Sequence, residues 1–273
     1  MPAELRDILT TVDRLWPLGG AEPWDAPGLV TGDPVASVAR VLLAVDAVAA
    51  TVDEAVDSGA DLLVAHHPLL LRGVTSIAED RYKGALLARL IRADCALVAA
   101  HTNADVVETG TSAVLADRLG LVDARPIVPS ATDAARGLGR VGALAEPTTL
   151  GRLARQLADL LPPTATGVRV AGGYDDPVRT VALCGGAGDS LLADPAVRAA
   201  DVFITADLRH HPASEAREQA AHGGGPALID VSHWASEWLW LDAAAAELRA
   251  AHPELEVVVS DLRTDPWDFQ VVQ

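Results

Sequence analysis

Thiols are scarce in this chain of 273 residues, which contains only two cysteines, Cys95 and Cys184. Each lies inside an apolar, strand-like run, so we expect two buried free thiols and neither a disulfide nor a thiolate metal site. The longest apolar runs, such as Val41–Val48, have the length of a strand and are too short to span a membrane. The opening MPAELRDILTTVDRLW lacks the basic start, apolar centre and small-residue cleavage site of a secretory signal. These absences predict a soluble, cytoplasmic protein that does not enter the membrane.

Positive charge is also in short supply. The chain has 21 lysines and arginines against 38 aspartates and glutamates, which gives a net charge of −17. A surface this acidic repels phosphate backbones, so general nucleic-acid binding is not expected. A small phosphorylated molecule remains a possible substrate, provided that a local cation holds it. Half of the residues are hydrophobic, which is enough for a sizeable core.

Strand-like and helix-like segments alternate along the chain, which predicts the α/β class. Apolar strands are predicted at Val41–Val48, Asp61–Ala65, Cys95–Ala100, Asp201–Thr205 and Ala227–Val231, among others. Helices are predicted at Thr51–Ser58, Lys83–Ala93, Thr111–Leu119, Leu150–Leu161, Ser190–Ala200, Pro212–Ala221 and His233–Ala250. The looser stretch Val122–Leu138, rich in Asp, Pro, Ser and Ala, is the expected boundary between lobes. We therefore predict two α/β lobes with mixed or mostly parallel sheets, residues 1–127 and 128–273, and residues 226–273 are also compatible with packing on the first lobe.

Four groups of reactive side chains follow the carboxyl ends of predicted apolar strands. They are His66 with His67, His101 with Asp105, Asp207 with Arg209, His210 and His211, and His233 with Glu237. In open α/β sheets, ligands bind in the crevice beyond the carboxyl ends of the strands. The positions of these groups therefore predict a ligand site in a cleft at that edge.

The first two groups each have a functional and a structural interpretation. Neighbouring residues of an extended chain point to opposite faces, so His66 and His67 are better placed to reach two ions than to chelate one. The alternative is a surface turn that carries two histidines. Asp105 can ligate one metal or bridge two, or it can cap the helix that starts near Thr111. His101 is a candidate proton shuttle, or it is simply part of the turn.

The last two groups lie around predicted helix starts. His233 and Glu237 stand at positions i and i+4 of one helical face, a common way to offer a metal one nitrogen and one oxygen. The alternative is a capping and surface pair. Arg209 is a candidate for holding a phosphate, and Asp207 for orienting a ligand histidine from behind. A helix-entry turn explains these two residues almost as well.

The nitrogen and oxygen donors define the metals that such a site would take. Three histidines and two carboxylates without cysteine suit zinc, iron, manganese, cobalt or nickel better than magnesium or calcium. Five ligands exceed one tetrahedral site and fit two divalent ions that share a bridging carboxylate. The predicted ligands of this dinuclear centre are His66, His67, Asp105, His233 and Glu237.

Ordered motifs along nearly the whole chain resemble the interacting-factor-3-like family, the GTP cyclohydrolase 1 type 2 homologues. The segments are WDAPGL, ADLLVAHHPLLL, AAHTNAD, DVFITADLRHHPASEA and LIDVSHWASE, with Ala26 where asparagine is usual and Ala206 where glycine is usual. The resemblance implies that the same five residues are the metal ligands and that Asp105 and Glu237 are the bridging carboxylates. It also implies a toroidal homohexamer.

The family name implies a metal-dependent hydrolase that opens the ring of GTP or acts on a related phosphorylated metabolite. Such chemistry is compatible with a metal-activated water and with His101 as the group that moves a proton. Two alternatives remain open from the residues. One is a dinuclear phosphoesterase, and the other is a non-enzymatic, metal-binding regulatory or scaffold protein.

Overall fold

The computed structural model describes residues 3–271 as an α/β chain. Its strands are β1 (Ala3–Glu4), β2 (Gly28–Thr31), β3 (Ser37–Val38), β4 (Arg40–Ala44), β5 (Leu62–Ala65), β6 (Ala96–Ala99), β7 (Leu121–Arg125), β8 (Val128–Pro129), β9 (Gly137–Leu138), β10 (Arg140–Thr149), β11 (Arg169–Ala171), β12 (Pro177–Ala187), β13 (Val202–Ala206), β14 (Ala227–Val231) and β15 (Glu256–Val259). Its α-helices are α1 (Leu5–Leu15), α2 (Ala49–Asp57), α3 (Tyr82–Arg92), α4 (Thr102–Asp105), α5 (Thr111–Arg118), α6 (Leu150–Leu160), α7 (Pro195–Arg198), α8 (His210–Gly223) and α9 (His233–Ala251). Short 3-10 turns lie at Leu18–Gly20 and Asp189–Leu191.

The described residues form two compact units. The first contains residues 3–104 and 241–264, and the second contains residues 105–240 and 265–271. This division differs from the sequence-based lobes of 1–127 and 128–273, because β7 pairs with β10 and α5 packs against β12. Those pairings tie residues 105–127 to the second unit.

The first unit is built on a five-stranded sheet with the order β15-β4-β5-β6-β2. The first four strands are parallel and β2 is antiparallel to β6. Strands β5 and β6 are buried along their whole length, as expected for parallel strands that are covered on both faces. Helices α2 and α3 contribute Val52, Leu87 and Leu90 to the core on one face of the sheet. The carboxyl ends of β4, β5 and β6 therefore meet at one edge.

The second unit is built on a six-stranded sheet with the order β11-β14-β13-β12-β10-β7. Strands β12, β13 and β14 run parallel, whereas β11, β10 and β7 pair antiparallel with their neighbours. The predicted α/β class with mixed, partly parallel sheets is confirmed. Both predicted thiols are buried and free. Within residues 3–271, none of the helices combines the length and the apolar character that a membrane span requires.

Two sequence-based elements differ from the structure for local reasons. The helix predicted at Ser190–Ala200 is wrong: Asp194 caps a new start by accepting a hydrogen bond from Ala196 N at 2.7 Å, and Pro195 opens the short α7. Proline is suited to the first helical position and interrupts the chain of helical hydrogen bonds before it. The stretch Val122–Leu138, expected to be loose, contains most of β7 and all of β8 and β9.

Candidate metal-binding site

Three histidines of the first unit gather where two neighbouring strands end. His66 and His67 follow β5 directly, and His101 follows β6 after one residue. Because β5 and β6 are parallel and in register, their carboxyl ends bring the rings together. The ring centroids of His67 and His101 lie 5.1 and 5.3 Å from that of His66 and 5.5 Å from each other. One ligand atom from each residue lies within 4.8 Å of the other two, and we call this set the three-histidine group.

In all three histidines, the Nδ1 atom makes a hydrogen bond to an oxygen atom of the protein. The Nδ1 atom of His66 bonds the carbonyl oxygen of Ala100 at 2.7 Å, that of His67 bonds Asp46 Oδ1 at 2.7 Å, and that of His101 bonds Asp25 Oδ1 at 2.8 Å. Carbonyl and carboxylate oxygens accept hydrogen bonds, so each Nδ1 carries the proton and each Nε2 carries the lone pair. Metal-ligating histidines are commonly oriented by this kind of support.

Asp25 is the support of His101 and is itself held firmly. Its side chain is fully buried and accepts hydrogen bonds from the backbone N–H and the hydroxyl of Thr102. Burial alone would raise the pKa of Asp25, but the hydrogen bonds from Thr102 and His101 and the charge of His101 bring its pKa below the usual range. An ionised Asp25 accepts the hydrogen bond from His101 Nδ1 and fixes the orientation of its ring.

Trp24 stands next to this support and is largely open to solvent. Its exposed fraction is 59%, which is high for a tryptophan. Its ring makes an edge contact with the ring of His101, with a centroid separation of 5.9 Å and an interplanar angle of 75°. An exposed indole thus borders the three-histidine group.

Asp46 is a supporting residue that the sequence analysis missed. The predicted strand Val41–Val48 runs through it, whereas β4 ends at Ala44 and leaves Asp46 beyond the sheet edge. Its second carboxylate oxygen accepts a hydrogen bond from Thr264, so the carboxylate is fixed on both sides. Because the apolar run continues through Val45, Ala47 and Val48, the sequence alone does not show that the strand ends before Asp46.

In the second unit, His233 and Glu237 form a pair on the first turns of α9. His233 Nε2 and Glu237 Oε1 are 3.0 Å apart, and we call these two residues the His–Glu pair. His233 Nδ1 bonds Asp207 Oδ2 at 2.7 Å. Asp207 directly follows β13 and has a φ of +59°, a left-handed conformation that aspartate tolerates better than most residues. This tight turn aims the carboxylate at the ring, as an orienting role for Asp207 requires.

Two carboxylates determine the protonation of His233. Burial alone would lower the pKa of His233, but the charge of Glu237 and the hydrogen bonds to Asp207 and Glu237 raise it to about 11. Glu237 is only 3% exposed. A metal ion that takes the Nε2 lone pair must therefore replace the proton that lies between His233 and Glu237.

Gly186 leaves room for the His–Glu pair. It lies where the β12–β13 ladder shifts register between Leu183 and Ala187, and its φ is +68°. A Cβ at this position would stand 2.3 Å from Glu237 Oε1 and 3.2 Å from His233 Nε2. The Gly186 N–H also donates to the hydroxyl of Ser236 at 2.9 Å, which fixes the bulge against α9. Only glycine keeps this space clear and adopts this backbone without strain.

Asp105 and Arg209 are the two predicted site residues that remain to be described. Asp105 ends α4 and accepts a hydrogen bond from the Thr111 hydroxyl at 2.6 Å. Burial raises the pKa of the Cys184 thiol to about 12, and the negative charges of Asp105 and Glu237 add to this rise. Both carboxylates therefore lie within electrostatic reach of one buried point of the second unit. Arg209 is exposed and donates to Asp189 at 2.6 Å.

The residues present fit a divalent ion of the zinc, iron or manganese kind. The donors are imidazole and carboxylate, and the protonated Cys184 offers no thiolate. Two ligands that share one ion at about 2.0–2.2 Å stand about 3 Å apart, which is the separation within the His–Glu pair. The space kept by Gly186 lies next to both atoms. Groups of histidine and glutamate in this chain could thus hold metal ions.

Comparison of the whole sequence with known protein families agrees with the resemblance seen in the motifs. The profile of the Duf34/NIF3 (NGG1p interacting factor 3) family matches residues 3–266. The chain belongs to this Duf34/NIF3 family. A Streptomyces coelicolor relative named GTP cyclohydrolase 1 type 2 homolog is 50% identical over 98% of this chain and 94% of its own length. The resemblance predicted from the motifs is confirmed.

Solved structures share the Duf34/NIF3 fold. A Bacillus cereus protein related to NIF3 superposes with a TM-score of 0.88 at 24% identity, over 99% of this chain and 100% of its own. A Staphylococcus aureus protein superposes with a TM-score of 0.88 at 27% identity, over the same shares of both chains. These likenesses extend across essentially the full length of each chain, so the Duf34/NIF3 fold accounts for both units described above.

Proposed function

We propose that this protein binds two divalent metal ions and acts as a metal-dependent hydrolase on a nucleotide or a related phosphorylated metabolite. The observation that carries the proposal is the three-histidine group, in which three rings share one sheet edge and one hydrogen-bonding pattern. If these histidines were only part of surface turns, there would be no reason for Nδ1 of all three to be hydrogen-bonded. The dinuclear centre predicted from the sequence, with Asp105 and Glu237 as bridging carboxylates, belongs to this proposal.

The chain's own residues supply ligands and proton transfer. A bound divalent ion would contribute Lewis acidity, which polarises a water molecule or a substrate oxygen. His101 is the proposed proton carrier, because its side chain retains 12% exposure and its ring is held by a hydrogen bond to Asp25. Metal content after His101→Gln separates this role from that of a third ligand: a carrier variant keeps its metal and loses turnover.

Trp24 favours a heterocyclic substrate. An exposed indole beside the three-histidine group offers a flat surface on which a purine ring can stack. The name of the Streptomyces coelicolor relative makes GTP the first compound to test. Stacking of this kind serves a cyclohydrolase, whose reacting atoms belong to the ring, more directly than it serves a phosphoesterase.

Metal analysis is the first experiment. Untagged protein purified without chelator should contain about two ions per chain, the number expected of a dinuclear centre. His66→Gln and Glu237→Gln should each reduce that number, whereas His222→Gln, in the exposed last turn of α8, should not. No metal after reconstitution with zinc, manganese and iron would remove the basis of the proposal.

Activity assays then separate the three functional interpretations. Opening of the GTP ring changes the ultraviolet absorbance, and a phosphoesterase releases phosphate from model esters. A hydrolase of the proposed type gives the absorbance change, and Glu237→Gln abolishes it. Phosphate release alone supports the phosphoesterase. Neither signal in a metal-loaded protein supports the regulatory or scaffold role.

Self-association is part of the same proposal. Trp267, Phe269 and Val271 are between 62% and 79% exposed, an unusual concentration of apolar surface over five residues. Burial of such side chains against further copies of the chain would stabilise the predicted homohexamer. Light scattering coupled to size-exclusion chromatography gives the mass directly, and Trp267→Ser with Phe269→Ser should lower it.

A further inference from the structure

Helix α8 covers the sheet of the second unit without filling the space beneath it. It has 14 residues, and none of them is buried. Its contact with the core is made by small side chains, Ala213 and Ala216. A pocket of about 500 Å³ lies along α8 and strands β11 and β14. This volume falls within the range of small-molecule sites, roughly 300–1,000 Å³.

The pocket has an apolar side and a polar side. Strands β11 and β14 and the residue before Arg209 contribute the apolar side: Val170, Ala171, Leu208 and Leu228. Helix α8 contributes His210, Ser214 and Arg217. These three stand at positions i, i+4 and i+7, so they form one row along a single helical face. A molecule in the pocket would meet apolar atoms on one side and a row of hydrogen-bond donors on the other.

One arginine of the pocket is available to an anion. Arg169 is paired with Asp230, which also accepts a hydrogen bond from Leu208 N at 2.9 Å, so this acid is already engaged. Arg217 makes no ion pair or hydrogen bond within residues 3–271, although the chain has 38 acids for 21 basic residues. Glu218 also lines the pocket, but adjacent residues of a helix point about 100° apart, so it lies outside the row of His210, Ser214 and Arg217. An arginine left without an acid in so acidic a protein is a cation available to a ligand.

We propose that this pocket binds a small phosphorylated molecule with an apolar or planar body. The phosphoryl group presents three acceptor oxygens, which match the donors of His210, Ser214 and Arg217. The body of the ligand covers the apolar side, where Val170 is exposed and Ala171 and Leu208 are only partly buried. The site uses neither the three-histidine group nor the His–Glu pair, and therefore does not rest on the function proposed above.

Phenylphosphonate is a suitable probe because it combines a ring with a phosphoryl-like group and resists hydrolysis. Its dissociation constant is measured by ligand-detected NMR on the full-length protein. Arg217→Gln should weaken binding about tenfold or more, as expected for the loss of hydrogen bonds to a charged group. Arg155→Gln, which removes an exposed arginine of α6, is the matched control and should leave the affinity unchanged. Methylphosphonate and benzoate should both bind more weakly than phenylphosphonate.

A second variant keeps the test independent of the folding of Arg217→Gln. Ala213→Leu retains every charge and fills the pocket, so it should abolish binding of phenylphosphonate. Glu237→Gln reports on binding at metal ions and should leave the affinity as it is. Equal affinities in wild type, Arg217→Gln and Ala213→Leu would overturn the proposal. So would a loss of binding in Glu237→Gln alone, because the probe would then be reporting the metal site.

Discussion

Gly186→Ala is the sharpest test of the reasoning about the His–Glu pair. The new methyl group would stand 2.3 Å from Glu237 Oε1, more than 1 Å closer than the 3.4 Å at which ordinary contact begins. Backbone strain at a φ of +68° adds about 1–2 kcal/mol for any residue with a Cβ. Coordination distances tolerate only about 0.2 Å, so moving Glu237 by 1 Å removes it as a ligand.

A matched variant separates the clash from the strain. Gly167 has a φ of +59°, and a Cβ there would meet nothing within 4 Å. Gly167→Ala should therefore show the strain alone, about 1–2 kcal/mol in urea unfolding of the metal-free protein, and should keep its metal. Gly186→Ala should show at least this loss of stability and should also lose metal from the His–Glu pair. Equal metal content in the two variants would refute the view that Gly186 keeps space for a metal ligand.

Three further predictions concern the supports of the histidines and the substrate. Asp46→Ala should weaken metal binding about 10–100-fold by releasing His67, while Asp53→Ala, on the surface of α2, should not, as judged by competition with a fluorescent chelator. In metal-free protein, His233 has a pKa of about 11 against 6.5 when unfolded. Its contribution to stability should be complete below pH 6.5 and disappear as the pH rises through about 11, a dependence that urea unfolding should find reduced in His233→Gln. Trp24→Ala should weaken GTP binding by about 1–3 kcal/mol without affecting tripolyphosphate, measured by calorimetry.

Each of these predictions has a result that contradicts it. If Asp46→Ala and Asp53→Ala bind metal equally well, the hydrogen bond from His67 does not orient a ligand. If wild type and His233→Gln lose stability in parallel between pH 6.5 and 11, the imidazolium does not stabilise the folded state. If Trp24→Ala weakens GTP and tripolyphosphate to the same extent, the indole does not stack on the base.

The length and the apolar character of the sequence segments were enough to predict the strands that carry the candidate site. Apolar runs of strand length stand out at Leu62–Ala65 and Ala227–Val231, because parallel strands are buried on both faces. The start of α9 at His233 was also predicted. The division into units was not readable in this way, since it depends on the pairing of β7 with β10, and a pairing between distant strands leaves no local signal. Helix α1 was not predicted, although the segment is amphipathic.

The sequence singled out the candidate ligands, which stay a prediction, and one support, Asp207, but not Asp25 or Asp46. Histidines are few, so their positions after strands are conspicuous. Aspartates are common in this acidic chain, and nothing in the sequence distinguishes Asp46, which holds His67, from a surface acid such as Asp53. Gly186 was equally hidden, because its role depends on a register shift between β12 and β13. Only tertiary contacts distinguish these residues from other residues of the same type.

Two of the supports, one in each unit, follow the same rule. Asp46 follows β4 and holds His67, which follows the adjacent parallel strand β5. Asp207 follows β13 and holds His233, which follows the adjacent parallel strand β14. Parallel neighbours place their carboxyl ends side by side, so an acid on one strand reaches the Nδ1 of a histidine on the next and leaves Nε2 pointing away from the sheet. This geometry fixes the orientation of the ring through Nδ1 before any metal arrives, and it predicts that exchanging the acid for alanine weakens metal binding in either unit to a similar degree.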